Sequence, residues 1–431
     1  MSIVIRFLSA LALPLCVSAQ SISIEQSLSL NTALNAQISP DGRFVAYTIQ
    51  TDWEQDEFVT QIWVRAVDGG AACPLTSGRR SSGSPRWSPD SKRIAFASAR
   101  KGKRQIYIIS NSGGEAYHLT HEEREIGPFE WSPDGGSITF ISAGPGSNES
   151  KARRRKFGAF EIVEEDSLKP QLWLVPAPDV LPLDPSAQPK PELLTPNSDV
   201  AIEAFSWSPD GRSIAFEAQQ EPGYTSNETA RIYILDVASK SARKLLDDGV
   251  PNHRPVWSPD GSKIAFMMTE KGKPTFPSNI EIAVAPATGG PAKILTTDFD
   301  ESARVINWGP DGIYLGVFQL ESAVYRLDPS SRKRERINPP GSLGLSGASF
   351  SRDHRRVAGI AVRPNLLAEV CVSAVDRFAP AFITDLNAQR KRFRFATREA
   401  LQWKSKDGTQ VEGILIKPPI MIRRGNTRCW L

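Results

Sequence analysis

The chain alternates apolar and polar residues in short stretches, each closed by Gly, Pro, Asp or Ser, and one arrangement of these stretches recurs. Around residue 90 the pattern predicts a short strand Ser84–Trp87, a tight turn at Pro89-Asp90 and a second strand over Arg93–Ala97. A third strand follows at Gln105–Ser110, reading Ile-Tyr-Ile-Ile in its middle. Ser112-Gly113-Gly114 then turns the chain into a last strand, Ala116–Thr120. Proline presets φ for the turn, aspartate bonds nearby backbone, and a glycine after the aspartate supplies the positive φ that closes such a hairpin.

The turn is the anchor of a repeat. It reads Ile38-Ser-Pro-Asp-Gly42, Trp87-Ser-Pro-Asp-Ser91, Trp131-Ser-Pro-Asp-Gly135, Trp207-Ser-Pro-Asp-Gly211, Trp257-Ser-Pro-Asp-Gly261 and Trp308-Gly-Pro-Asp-Gly312, with a degenerate seventh copy at Phe350-Ser-Arg-Asp-His354. Its aspartates, 41, 90, 134, 210, 260, 311 and 353, are 49, 44, 76, 50, 51 and 42 residues apart. Ile62-Trp63-Val64 before Leu75-Thr76, Ile232-Tyr233-Ile234 before Leu245-Leu246, and Ile280–Val284 before Leu295-Thr296 repeat the third and fourth strands. Four strands per repeat of roughly 50 residues describe the blade of a β-propeller, in which each twisted sheet covers its neighbour. The expected fold is therefore all-β: a seven-bladed propeller of four-stranded antiparallel blades over residues 30–390.

In this frame the recurring Trp is interblade packing, and the recurring Asp is a turn residue, because one carboxylate per turn is far short of the 6–8 oxygens that calcium takes. The third repeat is irregular. Its long step holds a polar, basic stretch, Gly144–Lys156, and Pro176–Pro191, with six prolines in sixteen residues, as loops inserted on either side of a strand Gln171–Val175. Insertions on one blade are where such a scaffold carries specificity. Glu164 and Glu165, beside the insertion, are the candidate substrate-binding residues, because they could hold a ligand ammonium; the alternative, which the composition favours, is a solvated loop. His118 and His121 read as surface loop residues.

Charge narrows the partners. Lys and Arg total 52 and Asp and Glu 48; without Arg6, Arg423, Arg424 and Arg428 the body holds 48 of each and is neutral. A neutral body makes no phosphate-tracking field, so nucleic acid is not expected as a partner. Arg6, the apolar run Phe7–Val17 and the small residues Val17-Ser18-Ala19 read as a signal peptide over residues 1–19, cut before Gln20. Eleven apolar residues are too few to cross a bilayer that needs about 20 in helix. An exported protein without a membrane span is expected, periplasmic or secreted. Cys73, Cys371 and Cys429 then remain, an odd number with neither a disulfide framework nor metal-ligand spacing. No metal and no cofactor is expected.

Repeats reading Trp-Ser-Pro-Asp-Gly, Ile-Ala-Phe, Ile-Tyr and Leu-Thr resemble Tol-type β-propeller repeats. After the seventh copy, Leu401–Pro419 carries Ser405-Lys-Asp-Gly408 and Gly413, Leu415 and Pro418. This segment is similar to the junction that leads into the α/β-hydrolase domain of prolyl oligopeptidase-family serine peptidases, of the acylaminoacyl- and dipeptidyl-peptidase branches. The resemblance implies a propeller that caps a serine peptidase site and admits peptides or unfolded ends. It also implies a catalytic Ser, Asp and His on a following domain, with the serine on a Gly-x-Ser-x-Gly elbow. No such elbow occurs in this sequence, and no catalytic residue can be assigned. The expected organisation is thus a propeller, a junction at residues 395–419 that begins a hydrolase domain, and an aberrant tail at 420–431 such as a frameshift would leave. The expected function is the substrate-gating part of an exported exopeptidase or oligopeptidase, inactive alone. The alternative is a free-standing periplasmic propeller used as an interaction scaffold.

Overall fold

The computed structural model describes residues 20–54, 57–121, 124–145, 148–158, 168–182, 184, 187–196, 199–222, 224–269 and 279–418. Between Thr32 and Phe382 it forms seven four-stranded antiparallel sheets, each from four consecutive strands. The first strand of each lines the axis: Thr32–Ile38, Ser82–Trp87, Ile126–Trp131, Ala201–Trp207, Asn252–Trp257, Ala303–Gly309 and Gly344–Phe350. The expected seven-bladed propeller is what the chain makes.

Its core is a ring of seams. Seven clusters of buried apolar side chains form, one between each pair of neighbouring blades. Second strands face a neighbour on both sides, so they read as apolar runs rather than alternating; Ile94, Ala95, Phe96 and Ala97 are all buried. The repeated tryptophans lie in these seams, and their indoles also cross them. Trp87 Nε1 donates to the Gln37 carbonyl at 2.9 Å, Trp131 to Arg86 at 3.0 Å, and Trp257 to Ser206 at 3.2 Å. The outermost strands are only two or three residues long, which keeps exposed edges short.

Each Ser-Pro-Asp turn is locked from within. In blade five Ser258 Oγ donates to Asp260 Oδ1 at 2.6 Å and accepts the Lys263 amide at 2.9 Å, while Asp260 Oδ1 takes the Ser262 amide at 3.0 Å. The next residue has positive φ, for example 71° at Gly261; Ser91 and His354 adopt 63° and 55° without being glycine. The sixth turn lacks its serine for a steric reason. A Cβ on Gly309 would overlap the His354 ring, and Asp311 instead accepts from the Tyr314 hydroxyl and Arg326, both at 2.8 Å. The Leu-Thr ending also has a cause: Thr76, Thr120 and Thr296 accept the amide of the third strand at Ile62, Ile106 and Ile282, closing the ladder where the fourth strand leaves it.

Among the described residues no strand is exchanged between blades one and seven, and other contacts join the two blades. Blades one and seven share an apolar cluster. Arg356 donates to the Gly42 carbonyl at 3.0 Å, Arg65 to the Ile383 carbonyl, and Gln389 exchanges hydrogen bonds with the Asn31 backbone. Gln20–Ser21 pairs in parallel with Phe393–Arg394.

The inserted stretch of blade three differs from its expectation as a loop: Asn148–Phe157 is a helix. Ten residues without Gly or Pro, five of them Lys or Arg, favour one. His118 is no loop residue either. It lies in the fourth strand of blade two, half-buried, with its ring on Tyr107 at 4.5 Å and His121 at 4.0 Å.

Candidate functional site

Strand alternation decides which side chains reach the axis. In the inner strands the position before the seam tryptophan points into the channel, and the series runs Gln37, Arg86, Glu130, Ser206, Val256, Asn307 and Ser349. Five of these, Gln37, Arg86, Glu130, Asn307 and Ser349, line an axial cavity of about 760 Å³ at the end bearing the Ser-Pro-Asp turns. A second cavity, about 330 Å³, continues toward the opposite end and adds Arg254, Arg304 and Phe318. Arg86 and Glu130 border both.

Every inner strand carries a register shift near its middle, between Gly83 and Arg86 in blade two and between His253 and Val256 in blade five. Such bulges bend a strand and re-aim its side chains. Three contain an X-Pro step, Ser84-Pro85, Gly127-Pro128 and Arg254-Pro255, where a residue without an amide proton fits an interrupted ladder. Arg254 adopts φ 50° there, a strained value for a residue with a side chain. Buried Glu217 holds that bulge, accepting the Arg254 backbone amide at 3.0 Å and facing the His253 ring at 2.7 Å.

The electrostatics of the channel are unbalanced. Burial pushes the Glu130 carboxyl up to about 7, against the opposing pull of Arg86. Burial likewise lowers Arg86, with Glu130 opposing and Arg104 adding to the effect. Arg304 is lowered by burial and then by Arg254, and its guanidinium lies over the Phe318 ring at 5.6 Å. Among the described residues, neither Arg254 nor Arg304 has a carboxylate in ion-pair contact, and Glu130 accepts no hydrogen bond.

Glu164 and Glu165, the residues proposed from sequence, lie outside the described residues. Sequence reading missed the channel arginines and Glu130, although a signal was present: the column before the repeat's Trp, Ile38 or Phe350 is polar in six of seven copies. Among the described residues no group of three or more His, Cys, Asp or Glu could hold a metal ion. Cys73 is exposed, and Cys371 is buried with its thiol pushed up to about 12, so it is no nucleophile.

Antiparallel order puts the start of each inner strand, the loop between second and third strands, and the exit from blade seven at one end of the ring. A two-stranded hairpin, Thr397–Lys404 with Gln410–Lys417, is attached at that end: Asn365 of blade seven exchanges two hydrogen bonds with the Arg398 backbone. Asp407 Oδ1 takes the Thr409 amide at 3.0 Å to close its turn. Leu401, Trp403, Ile414 and Ile416 of the hairpin are exposed. No helix among the described residues is long and apolar enough to cross a membrane.

Comparison with known proteins agrees with this architecture. Residues 20–166 match the family described as the TolB beta propeller domain. The chain is 26% identical over 354 residues to dipeptidyl-peptidase 5 of Porphyromonas gingivalis, covering 74% of this chain and 50% of that protein. It is 26% identical over 264 residues to the uncharacterized peptidase YuxL of Bacillus subtilis, covering 61% and 33%. The chain thus spans half or less of these relatives. Among solved structures, the acylaminoacyl peptidase of Pyrococcus horikoshii superposes with a TM-score of 0.69 at 17% identity, covering 92% of this chain and 59% of that one. The β-propeller domain of the trilobed protease of Pyrococcus furiosus, described as having an open velcro topology, superposes with a TM-score of 0.59 at 16% identity, covering 83% and 99%. The resemblance to the Tol-type propellers of peptidase-family proteins is borne out.

Proposed function

We propose that this chain is the substrate-gating propeller of an exported serine exopeptidase or oligopeptidase. The observation that carries the reading is the hairpin Thr397–Lys417, fastened through Asn365 to the end of the ring where the smaller axial cavity begins. A hydrolase domain built onto that hairpin would sit over the channel mouth and cover both faces of the hairpin, Leu401 and Trp403 on one and Ile414 and Ile416 on the other. The names of the relatives, dipeptidyl-peptidase 5 and acylaminoacyl peptidase, support a peptide as the substrate.

In this role the propeller contributes exclusion. A rigid ring with a channel a few side chains wide admits a peptide end and refuses a folded protein, which is selection by size rather than by a side-chain pocket. Glu164 and Glu165, beside the blade-three insertion, are candidates for holding a ligand ammonium, and the family's amine-binding role is not assigned to them. Serine catalysis needs a nucleophile, a base, an orienting carboxylate and an oxyanion hole in contact. The 431 residues contain no Gly-x-Ser-x-Gly elbow to begin that set, so the chain alone is inactive. Residues 1–19 would direct export and be removed after Ala19.

The test is purified mature chain against chromogenic acyl-amino-acid and dipeptide substrates, with a fluorophosphonate probe for an activated serine. No turnover and no labelling are expected; stoichiometric labelling of one serine would overturn the inactivity. Fusion through Pro419 to the hydrolase domain of a dipeptidyl-peptidase relative should give turnover that falls steeply with substrate length. A fusion whose labelled, active serine cleaves short and long substrates alike would overturn the gating role.

A further inference from the structure

We infer that the smaller axial cavity is an anion site, in which Arg254 and Arg304, with Arg86, take the carboxylate of a short peptide. The three guanidinium-bearing residues come from blades five, six and two, and meet around one cavity of about 330 Å³. Arg304 is lowered by burial and by the charge of Arg254 beside it, and neither guanidinium has a carboxylate partner, so an anion between them would relieve the repulsion. The fold maintains this arrangement. Glu217, the buried carboxylate beside Arg254, is committed to the strained backbone of the bulge and to His253, so the guanidinium is not neutralised. Phe318 lies against Arg304 and supports its planar head.

The rest of the wall mixes apolar Val305, Val317 and Leu345 with Ser322 and Ser346, so the arginines are the cationic groups of the cavity and hydroxyl-bearing residues stand beside them. The volume is at the lower end of the range for small-ligand sites, roughly 300–1,000 Å³. It suits a terminal carboxylate and one or two small residues. The body of the protein has no net charge, so this concentration of unpaired arginine is local and steers acidic groups only at the channel. Glu130, at the border with the larger cavity, is the competing charge: it repels a carboxylate and would face the amide or amine side of a peptide lying along the axis.

The peptide nature of the ligand rests on the gating role proposed above; the preference for a carboxylate rests on the arginines alone. The test uses the full chain and calorimetric titration with N-acetyl-tetraalanine, its C-terminal amide, and that amide with one alanine replaced by glutamate. The free acid should bind about tenfold more tightly than the amide, the worth of one charge-assisted contact. The glutamate-bearing amide separates the sources: binding like the acid means that side-chain carboxylates are taken too, and binding like the plain amide means that the site reads the chain terminus. R254Q and R304Q should each lose about tenfold for the acid with no change for the amide, which serves as the control for folding. E130Q should bind the acid several-fold more tightly, a gain that misfolding cannot produce. Equal binding of acid and amide, or R254Q and R304Q indistinguishable from wild type, would overturn the anion site while leaving the gating role standing. Failure of the hydrolase fusion to discriminate by length would remove the gating role and leave the contrast between acid and amide intact.

Discussion

Replacing Glu130 by glutamine should make the protein more stable, and only above the pH at which the carboxyl ionises. The folded protein raises this group from 4.5 to about 7 because it is enclosed by the channel wall. The folded state therefore keeps a proton that the unfolded chain has released, and wild-type stability falls as pH rises through this window. Below about 4.5 both states are protonated and glutamine changes little. Above about 7 both are ionised and the full cost of a buried carboxylate is present. A shift of this size corresponds to at most about 3 kcal/mol. Arg86, which loses the attraction of the Glu130 charge in the variant, returns part of that, so a net gain of about 1–2 kcal/mol is expected at pH 8. Denaturant unfolding of wild type and E130Q, followed by tryptophan fluorescence at pH 5, 6, 7 and 8, measures the difference. The two profiles should meet near pH 5 and diverge toward pH 8. Parallel profiles, or a variant less stable at pH 8 than at pH 5 relative to wild type, would refute the reasoning.

Three further outcomes are expected, two from the fold and one from the sequence. S132A removes a buried hydroxyl that donates to Asp134 and accepts the Ser137 amide at 3.0 Å, and should cost about 1–2 kcal/mol in the same unfolding assay. G309S restores the serine that the other turns carry and should nevertheless destabilise by about 1–3 kcal/mol, because its Cβ meets the His354 ring; H354G in the same chain should recover most of the loss. The exported protein, sequenced from its amino terminus, should begin at Gln20; retention of residues 1–19 would contradict the signal peptide.

The repeat was legible because its chemistry is local. Proline, aspartate and glycine set a turn within five residues, the serine locks it from two residues away, and both act the same way in isolation as in the ring. Seven such turns at a near-constant spacing leave little freedom for anything but a radial stack of small sheets. The seam role of the tryptophans was equally readable, because a sheet with two apolar faces must be covered on both. What the sequence could not order is the axis. Arg86, Glu130, Arg254 and Arg304 are separated by up to 218 residues and share no motif among themselves. Two of them fall in the column before the tryptophan, where alternation alone would aim them inward. Arg254 reaches the cavity through a bulge whose strained backbone depends on a carboxylate from the neighbouring blade, and Arg304 reaches it from a different strand, just ahead of that strand's own register shift. The absence of a serine at residue 309 belongs to the same class, since His354 approaches it from the next blade. Local rules determine each blade, while the channel is a property of the closed ring, because its lining residues become neighbours only when all seven sheets have taken their places.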